Sequence, residues 1–441
     1  MSAEKNLTGG RTANAKSNFG KKGWLMCLLC FLYYVLMIVF DNGLNYIVPV
    51  FTGTFGWSQT TLFLFTSIGG WIAVVGLLAF GTFKRVKGNK KMLLLTLTLY
   101  VVCLAVWAFA GDLVMYAIGA IGTKVTASAF VFLGVADIAG NWFPTKKGIF
   151  MGWCTMGVTV GGMLANIVMP GALAKGQTFG LGIFAVLGVV VLLLTALLMK
   201  NNPEEAGAYP DNDTTMSPER VKAIMDESEN FKKSSQWTAA RSLRSGIVWR
   251  VGLIFGLFNF AAQGFMSQVT LAAEAFGHSL DFAQFLLLIG GLLGFLSSYI
   301  GGILDQKLGT KNATLICMSV LAFGLFVGAF AGQLAVGMAV VTFLTSMAVS
   351  FGNNMLVSMS STLWGRYDMD GPYQVLIVVQ QVIASFGYMV MSGLAEATQG
   401  YKVPFLVFGV LAVAIVVMVV TMKDRFLGRT DEEMLSAAER Q

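Results

Sequence analysis

The 441-residue chain is short of charge: 12% of its residues are Asp, Glu, Lys or Arg, against 56% that are hydrophobic. Soluble domains carry about 25% charged residues, so a chain this long with half that share is not built to be wetted on every side. Its solvent is lipid. Histidine is almost missing, with His278 alone, and the five cysteines (Cys27, Cys30, Cys103, Cys154, Cys317) all fall in apolar runs. Neither a His-rich metal site nor a disulfide framework can be assembled from that set. Cys27 and Cys30 have CxxC spacing, but inside an apolar run, where a thiol more often packs as a small hydrophobe than does redox chemistry. No GxxxxGK[ST] phosphate loop occurs, so ATP drive is not expected, and no cofactor is implied.

What the chain has is long apolar runs. Crossing about 30 Å of hydrocarbon takes about 20 residues at 1.5 Å each. Twelve runs reach that length: Trp24 to Phe51, Thr60 to Phe80, Met92 to Gly111, Leu113 to Ala136, Gly148 to Leu173, Phe179 to Met199, Ile247 to Ala272, Phe282 to Leu304, Ala313 to Ala331, Leu334 to Ser360, Gln374 to Leu394 and Val403 to Met422. The first is too long, and too polar around Asp41, for a cleaved signal peptide. The pattern predicts an all-α integral membrane protein with a tail over 1–23, a six-helix bundle over 24–199, a central loop over 200–246, a second bundle over 247–422 and a tail over 423–441. Within the loop, Ser217-Pro218-Glu219 opens a short helix as cap, first-turn proline and acidic residue.

The net charge of +7 is explained by topology. Of the thirty Lys and Arg, 27 fall in the tails and loops on one side of the spans and two, Lys175 and Lys402, on the other. Positive loops stay cytoplasmic, which predicts both termini inside a cell membrane, bacterial inner or plasma. Nucleic acid is not an expected partner.

Shifting the sequence by 221 residues lays Phe55-Gly56-x-Ser58 on Phe276-Gly277-x-Ser279, Ile68-Gly69-Gly70 on Ile289-Gly290-Gly291, and Gly81, Gly88 and Lys90 on Gly302, Gly309 and Lys311. Two six-span repeats joined by a central loop imply a site between halves that rock. On these features the chain resembles the major facilitator superfamily over nearly its whole length. In that family the loop after span two, and its copy after span eight, carries a Gly, an Asp four residues later and a basic turn. Gly301 to Lys311, with Asp305, fits; Gly81 to Lys91 keeps the glycines but has Lys84 opposite Asp305. The resemblance assigns conformational switching to Asp305, Gly81, Gly88, Gly302 and Gly309. Two further segments, Asn141-Trp142-Phe143-Pro144-Thr145-Lys146-Lys147-Gly148 and Asn202 to Asp211, look like the organic-anion, oxalate/formate antiporter-like branches. Members of that group that carry dicarboxylates tend to have two cationic side chains in the C-terminal half, where this sequence has none.

Ionisable groups deep in a membrane are costly and therefore candidates for function. Only Asp41 and Lys124 lie well inside, each within about a turn of its span's centre. The resemblance implies that spans one, four, seven and ten line a central cavity, which would bring both to one aqueous space. Two readings stand: a fixed ion pair tying two helices, or Lys124 meeting a substrate carboxylate while Asp41 exchanges a proton. Polar stripes supply the other candidates for binding: Asn45 on span one, Asn259 and Gln263 on span seven, Asn353 and Asn354 on span ten, Gln381 and Tyr388 on span eleven. Small polar side chains also hold helices together in lipid. Trp71, near the middle of span two, either stacks on a planar substrate or packs. Together these residues predict a monomeric secondary transporter of a small organic anion, a monocarboxylate, coupled to a proton or a counter-anion. The rivals are a proton-coupled exporter of amphipathic compounds, a sensor with a transporter fold, and a membrane enzyme, for which convergent nucleophiles and bases are lacking.

Overall fold

The computed structural model describes residues 19–143, 146–213, 237, 239–368 and 370–422. The proposed helix at Ser217 lies outside them. Among the described residues, twelve helices are long and apolar enough to cross a membrane. They are α1 (Gly20–Phe55), α2 (Gln59–Lys87), α3 (Asn89–Ala108), α4 (Leu113–Trp142), α5 (Lys147–Leu173), α6 (Gln177–Leu198), α7 (Gly246–Met266), α8 (Leu280–Leu308), α9 (Thr310–Ala331), α10 (Ala335–Asp368), α11 (Asp370–Thr398) and α12 (Lys402–Val420). No strand occurs among the described residues.

Most of these helices outrun the apolar stretches that announce them. A hydropathy count stops at the first cluster of charge, whereas the backbone keeps its i to i−4 bonds as long as water or headgroups receive the side chains. So α2 continues through Lys84, Arg85 and Lys87, and α10 runs past Ser360 to Asp368. Helix α4 continues past Ala136 through a wide π turn, Phe130–Val135, to Trp142. Such a turn is rare and is frequently found at functional sites.

The repeat read from the sequence is a repeat of backbone conformation. Gly56 and Gly277 close their helices at φ 69° and 87°, and Gly88 and Gly309 open α3 and α9 at φ 86° and 78°. Only glycine adopts that region without strain. At the shifted positions between them, Ser58 Oγ accepts from the Thr61 amide and Ser279 Oγ from the Phe282 amide, capping α2 and α8 alike. Packing repeats as well. In the first bundle α1 lies on α5, α4 on both α2 and α3, and α3 on α6; in the second α7 lies on α11, α10 on both α8 and α9, and α9 on α12. The bundles meet along α2 with α11, α5 with α8, and α1 with a short helix, Val269–Ala275, that follows α7.

Candidate functional site

Asp41 on α1 and Lys124 on α4 form an ion pair, Nζ to Oδ1 2.5 Å, with side chains 14% and 17% exposed. Gly69 on α2 makes room for the lysine stem: a Cβ there would stand 3.1 Å from Lys124 Cβ. The pair does not end inside the first bundle. Lys124 Nζ lies 5.8 Å from the centroid of the Tyr388 ring on α11, and the Tyr388 hydroxyl donates to Gln263 Oε1 on α7 at 3.1 Å. Four side chains that the sequence singled out separately thus form one polar chain from α1 and α4 across to α11 and α7. A desolvated ion pair costs several kcal/mol per ion before its attraction repays it, and a single substrate carboxylate could replace the aspartate at the same ammonium.

The remaining candidates fall into two groups. Asn353 and Asn354 are exposed midway along α10, and Asn354 donates to Ser298 Oγ on α8 at 2.8 Å. Gln381 is half-buried on α11, its carbonyl accepting from Ser385. Asn259 is buried and donates to the carbonyl of Phe255 one turn back. Asn45 is fully buried between the halves, donating to the Met266 carbonyl at 2.8 Å and accepting from the Thr270 amide at 3.2 Å. Trp71 also joins the halves: its indole N–H donates to the Val382 carbonyl at 3.1 Å, and its ring packs on Phe386 at 4.5 Å. In this structure the Trp71 ring packs across the seam between the bundles.

Asn45 and Trp71 belong to a seam. At its far end Ser58 Oγ donates to Glu396 at 2.9 Å, the Thr60 amide donates to the same carboxylate at 2.9 Å, and Thr60 and Ser392 share a hydroxyl contact of 3.1 Å. Among the described residues, hydrogen bonds between the bundles run from the midplane to the end opposite the chain termini. The protein is closed there. Glu396 escaped the sequence reading, although it extends the α11 stripe of Gln381, Ser385, Tyr388 and Ser392 by one more turn.

The family model for the Major Facilitator Superfamily matches residues 26–369, more than half of the chain. The protein belongs to that superfamily. Solved structures agree on the fold: the xylose transporter XylE from E. coli, in a partially occluded inward open conformation, superposes with a TM-score of 0.70 at 14% identity, covering 91% of this chain and 98% of that one. The nucleoside transporter NupG gives 0.67 at 14% identity, over 91% and 100%, and a bacterial homologue of the human lysosomal transporter Spinster gives 0.64 at 14%, over 92% and 97%. No curated relative matches the chain.

Within this superfamily member the departure at Lys84 has a structural counterpart. Lys84 on α2 pairs with Asp137 on α4 at 3.0 Å, and in the second bundle Asp305 on α8 accepts from Ser358 on α10 at 2.5 Å. The 221-residue shift carries Lys84 to Asp305 and Asp137 to Ser358. One polar contact is therefore kept in both halves with its polarity reversed. Asn89, shifted onto Thr310, completes the likeness: its amide donates to the Gly134 carbonyl at 3.0 Å, while Thr310 shares hydroxyl contacts of 3.1 Å with Ser358 and Thr362. A Cβ on Gly302 would meet nothing within 4 Å, and one on Gly81 only Leu133 at 3.9 Å, so sterics do not demand glycine at either.

The two segments that suggested an organic-anion branch lie together. Trp142 donates to the Lys200 carbonyl at 3.1 Å, and Lys146 donates through its amide and its ammonium to Asp211, at 3.2 and 2.8 Å. They form a clasp at the end of the first bundle that carries the chain's start.

Proposed function

We propose that this secondary transporter carries a small monocarboxylate by alternating access, coupled to a proton or to a counter-anion. The observation that carries the reading is the Asp41–Lys124 pair at the junction of the bundles, within reach of Tyr388. Of the thirty cations in the chain, Lys124 alone is far from a span end. One ammonium balanced by one movable carboxylate suits a cargo of one negative charge. The Asn353, Asn354 and Gln381 side chains would supply the neutral hydrogen bonds that orient the rest of it, and Asp41, released when cargo takes Lys124, would carry the proton. Proteoliposomes holding the purified protein should take up at least one of [14C]-formate, acetate, lactate or pyruvate, competed by other monocarboxylates and not by lactamide or xylose. Uptake of neutral or amphipathic compounds only, blind to a carboxylate, would favour the exporter instead.

The charge asymmetry supports an orientation with both termini in the cytoplasm of a cell membrane, and a monomer is proposed because the candidate site is built from the two bundles of one chain. Single cysteines at positions 175 and 402, in a cysteine-free background, should react with an impermeant maleimide from outside intact cells. Those at 87 and 307 should react only after permeabilisation. The reverse pattern would overturn the orientation.

A further inference from the structure

A small pocket adjoins the ion pair and lies wholly within the first bundle. Its free space is about 20 Å³, room for one oxygen-sized group. Met37, Phe40, Asp41 and Leu44 of α1, Thr66 of α2, Trp107 of α3 and Ala120, Thr123, Lys124 and Ala127 of α4 line it, and no residue of the second bundle does. Most of that wall is apolar. Two side chains break the pattern: Trp107 and Thr123 are each 2% exposed, and neither the indole N–H nor the Thr123 hydroxyl has a hydrogen-bond partner among the described residues.

Buried donors are nearly always paired, because an unmade hydrogen bond costs roughly 1–3 kcal/mol. These two are also held in place. A Cβ on Gly119 would lie 2.4 Å from Trp107 Cβ, so the glycine lets α3 and α4 close on each other at that ring. Phe40 and Tyr116 then fix it from the sides, with centroids at 5.8 and 5.4 Å. These contacts pack the indole on several sides.

We infer that this pocket receives a carboxyl oxygen of Asp41 whenever the pair with Lys124 opens. The inference rests on the proposed cycle, in which cargo replaces Asp41 at Lys124. Trp107 donates to that oxygen. Thr123 donates to it as well when it is charged and accepts from it when it carries a proton, so the pocket suits both forms. No bond is made or broken beyond that proton. Trp107 and Thr123 are positioning residues: they do not touch cargo, and they hold the released acid away from the ammonium that cargo needs. The second bundle offers no such place, since the shifted counterparts of Asp41, Trp107 and Thr123 are Ala262, Gly328 and Leu344.

The test needs no cargo, which separates its failure from failure of the transport reading. The nine indole N–H signals are observed in [15N]-tryptophan-labelled protein in nanodiscs, with the Trp107 signal identified by its loss in Trp107→Phe. Lys124→Met releases Asp41 without substrate, and the Trp107 signal should move downfield as it gains an acceptor. The shift should vanish in Lys124→Met/Asp41→Leu and shrink in Lys124→Met/Thr123→Val. An unmoved Trp107 signal in Lys124→Met, or one that moves equally without Asp41, overturns the proposal. Lys124→Ala is the second variant should Lys124→Met not fold. Collapse of the other eight signals in both also counts against it, because a receiving pocket would have sheltered the unpaired acid.

Discussion

Lys124→Ala should bring carboxylate uptake down to the level of empty liposomes while the protein still folds. A charged hydrogen bond is worth about 1.5 to 3 kcal/mol net, and the variant also leaves a cargo carboxylate without its counter-charge in a place poor in water. A loss of a hundredfold or more is expected in binding, measured by the concentration of monocarboxylate that protects the protein from thermal unfolding. Removing one member of a buried pair typically costs 3 to 5 kcal/mol, but with Asp41 14% exposed and able to take a proton the cost here should be nearer about 2 kcal/mol. The melting temperature should therefore fall without loss of the fold. Lys124→Arg should recover part of the uptake, since its planar fork cannot copy a point charge. Asp41→Asn completes the series. It should still exchange the anion across the membrane, yet fail to concentrate it under a pH gradient. Normal uptake by a folded Lys124→Ala variant would leave the pair as a tie between α1 and α4 and nothing more.

Gly70→Leu should stop transport by a different route. Gly70 on α2 faces Ser385 on α11 across the seam, and a Cβ there would lie 2.0 Å from Ser385 Oγ and 2.9 Å from its Cβ. No rotamer of serine relieves the second contact, so the helices must part. Parting α2 from α11 also strains the Trp71–Val382 hydrogen bond beside it. Overpacking of this kind costs about 1 to 3 kcal/mol, and a bias of that size moves a two-state equilibrium by roughly 5- to 150-fold. Because the strain falls between the bundles and not within either, the protein should remain folded and shift toward the form open at the end opposite the termini. Spin labels at Thr54 and Gln399, both exposed at that end, should report a longer distance than in the wild type. Glu396→Ala should act in the same direction more weakly, and Gly70→Ala with Ser385→Gly should restore both distance and uptake. Full uptake with an unchanged distance in Gly70→Leu would show that the seam does not govern opening.

The twelve helices were legible because each is a long apolar run, and a membrane leaves a backbone little choice but to satisfy itself within a helix. The two-bundle arrangement was legible in the 221-residue repeat, down to the capping serines. Helix ends were not, since hydropathy falls at Lys84 or Ser360 while the backbone continues. The site was half legible. Asp41 and Lys124 stood out as charges where charge is costly, but Tyr388 and Gln263 gained their place only through a contact between halves. Asn45 and Asn259 share the stripe pattern of cavity residues and are buried with backbone partners, because the same amides that bind cargo also fasten helices in lipid. Asp137 could have been found: the repeat frame that exposed Lys84 also sets Asp137 on Ser358, and a reversed charge at one position invites a search for its complement at the other.

The hydrogen bonds that join the bundles at one end have a kinetic consequence. Ser58, Thr60 and Glu396 at the rim, with Asn45 and Trp71 below, must all separate before the empty carrier can open at that end, which favours the form open at its other mouth. Where turnover of the loaded carrier is slower than that of the empty one, cargo arriving at that mouth finds a site already formed and half-saturates it at low concentration. Cargo from the sealed side must wait for a rarer form and half-saturates it at high concentration. Without a driving gradient the ratio of maximal velocity to half-saturation has to be equal in the two directions, since net flux at equal concentrations is zero. The tight-binding side is therefore also the slow side. Loosening the seam should raise velocity and weaken apparent affinity there together, and a single-sided measurement would record this as a trade of one for the other.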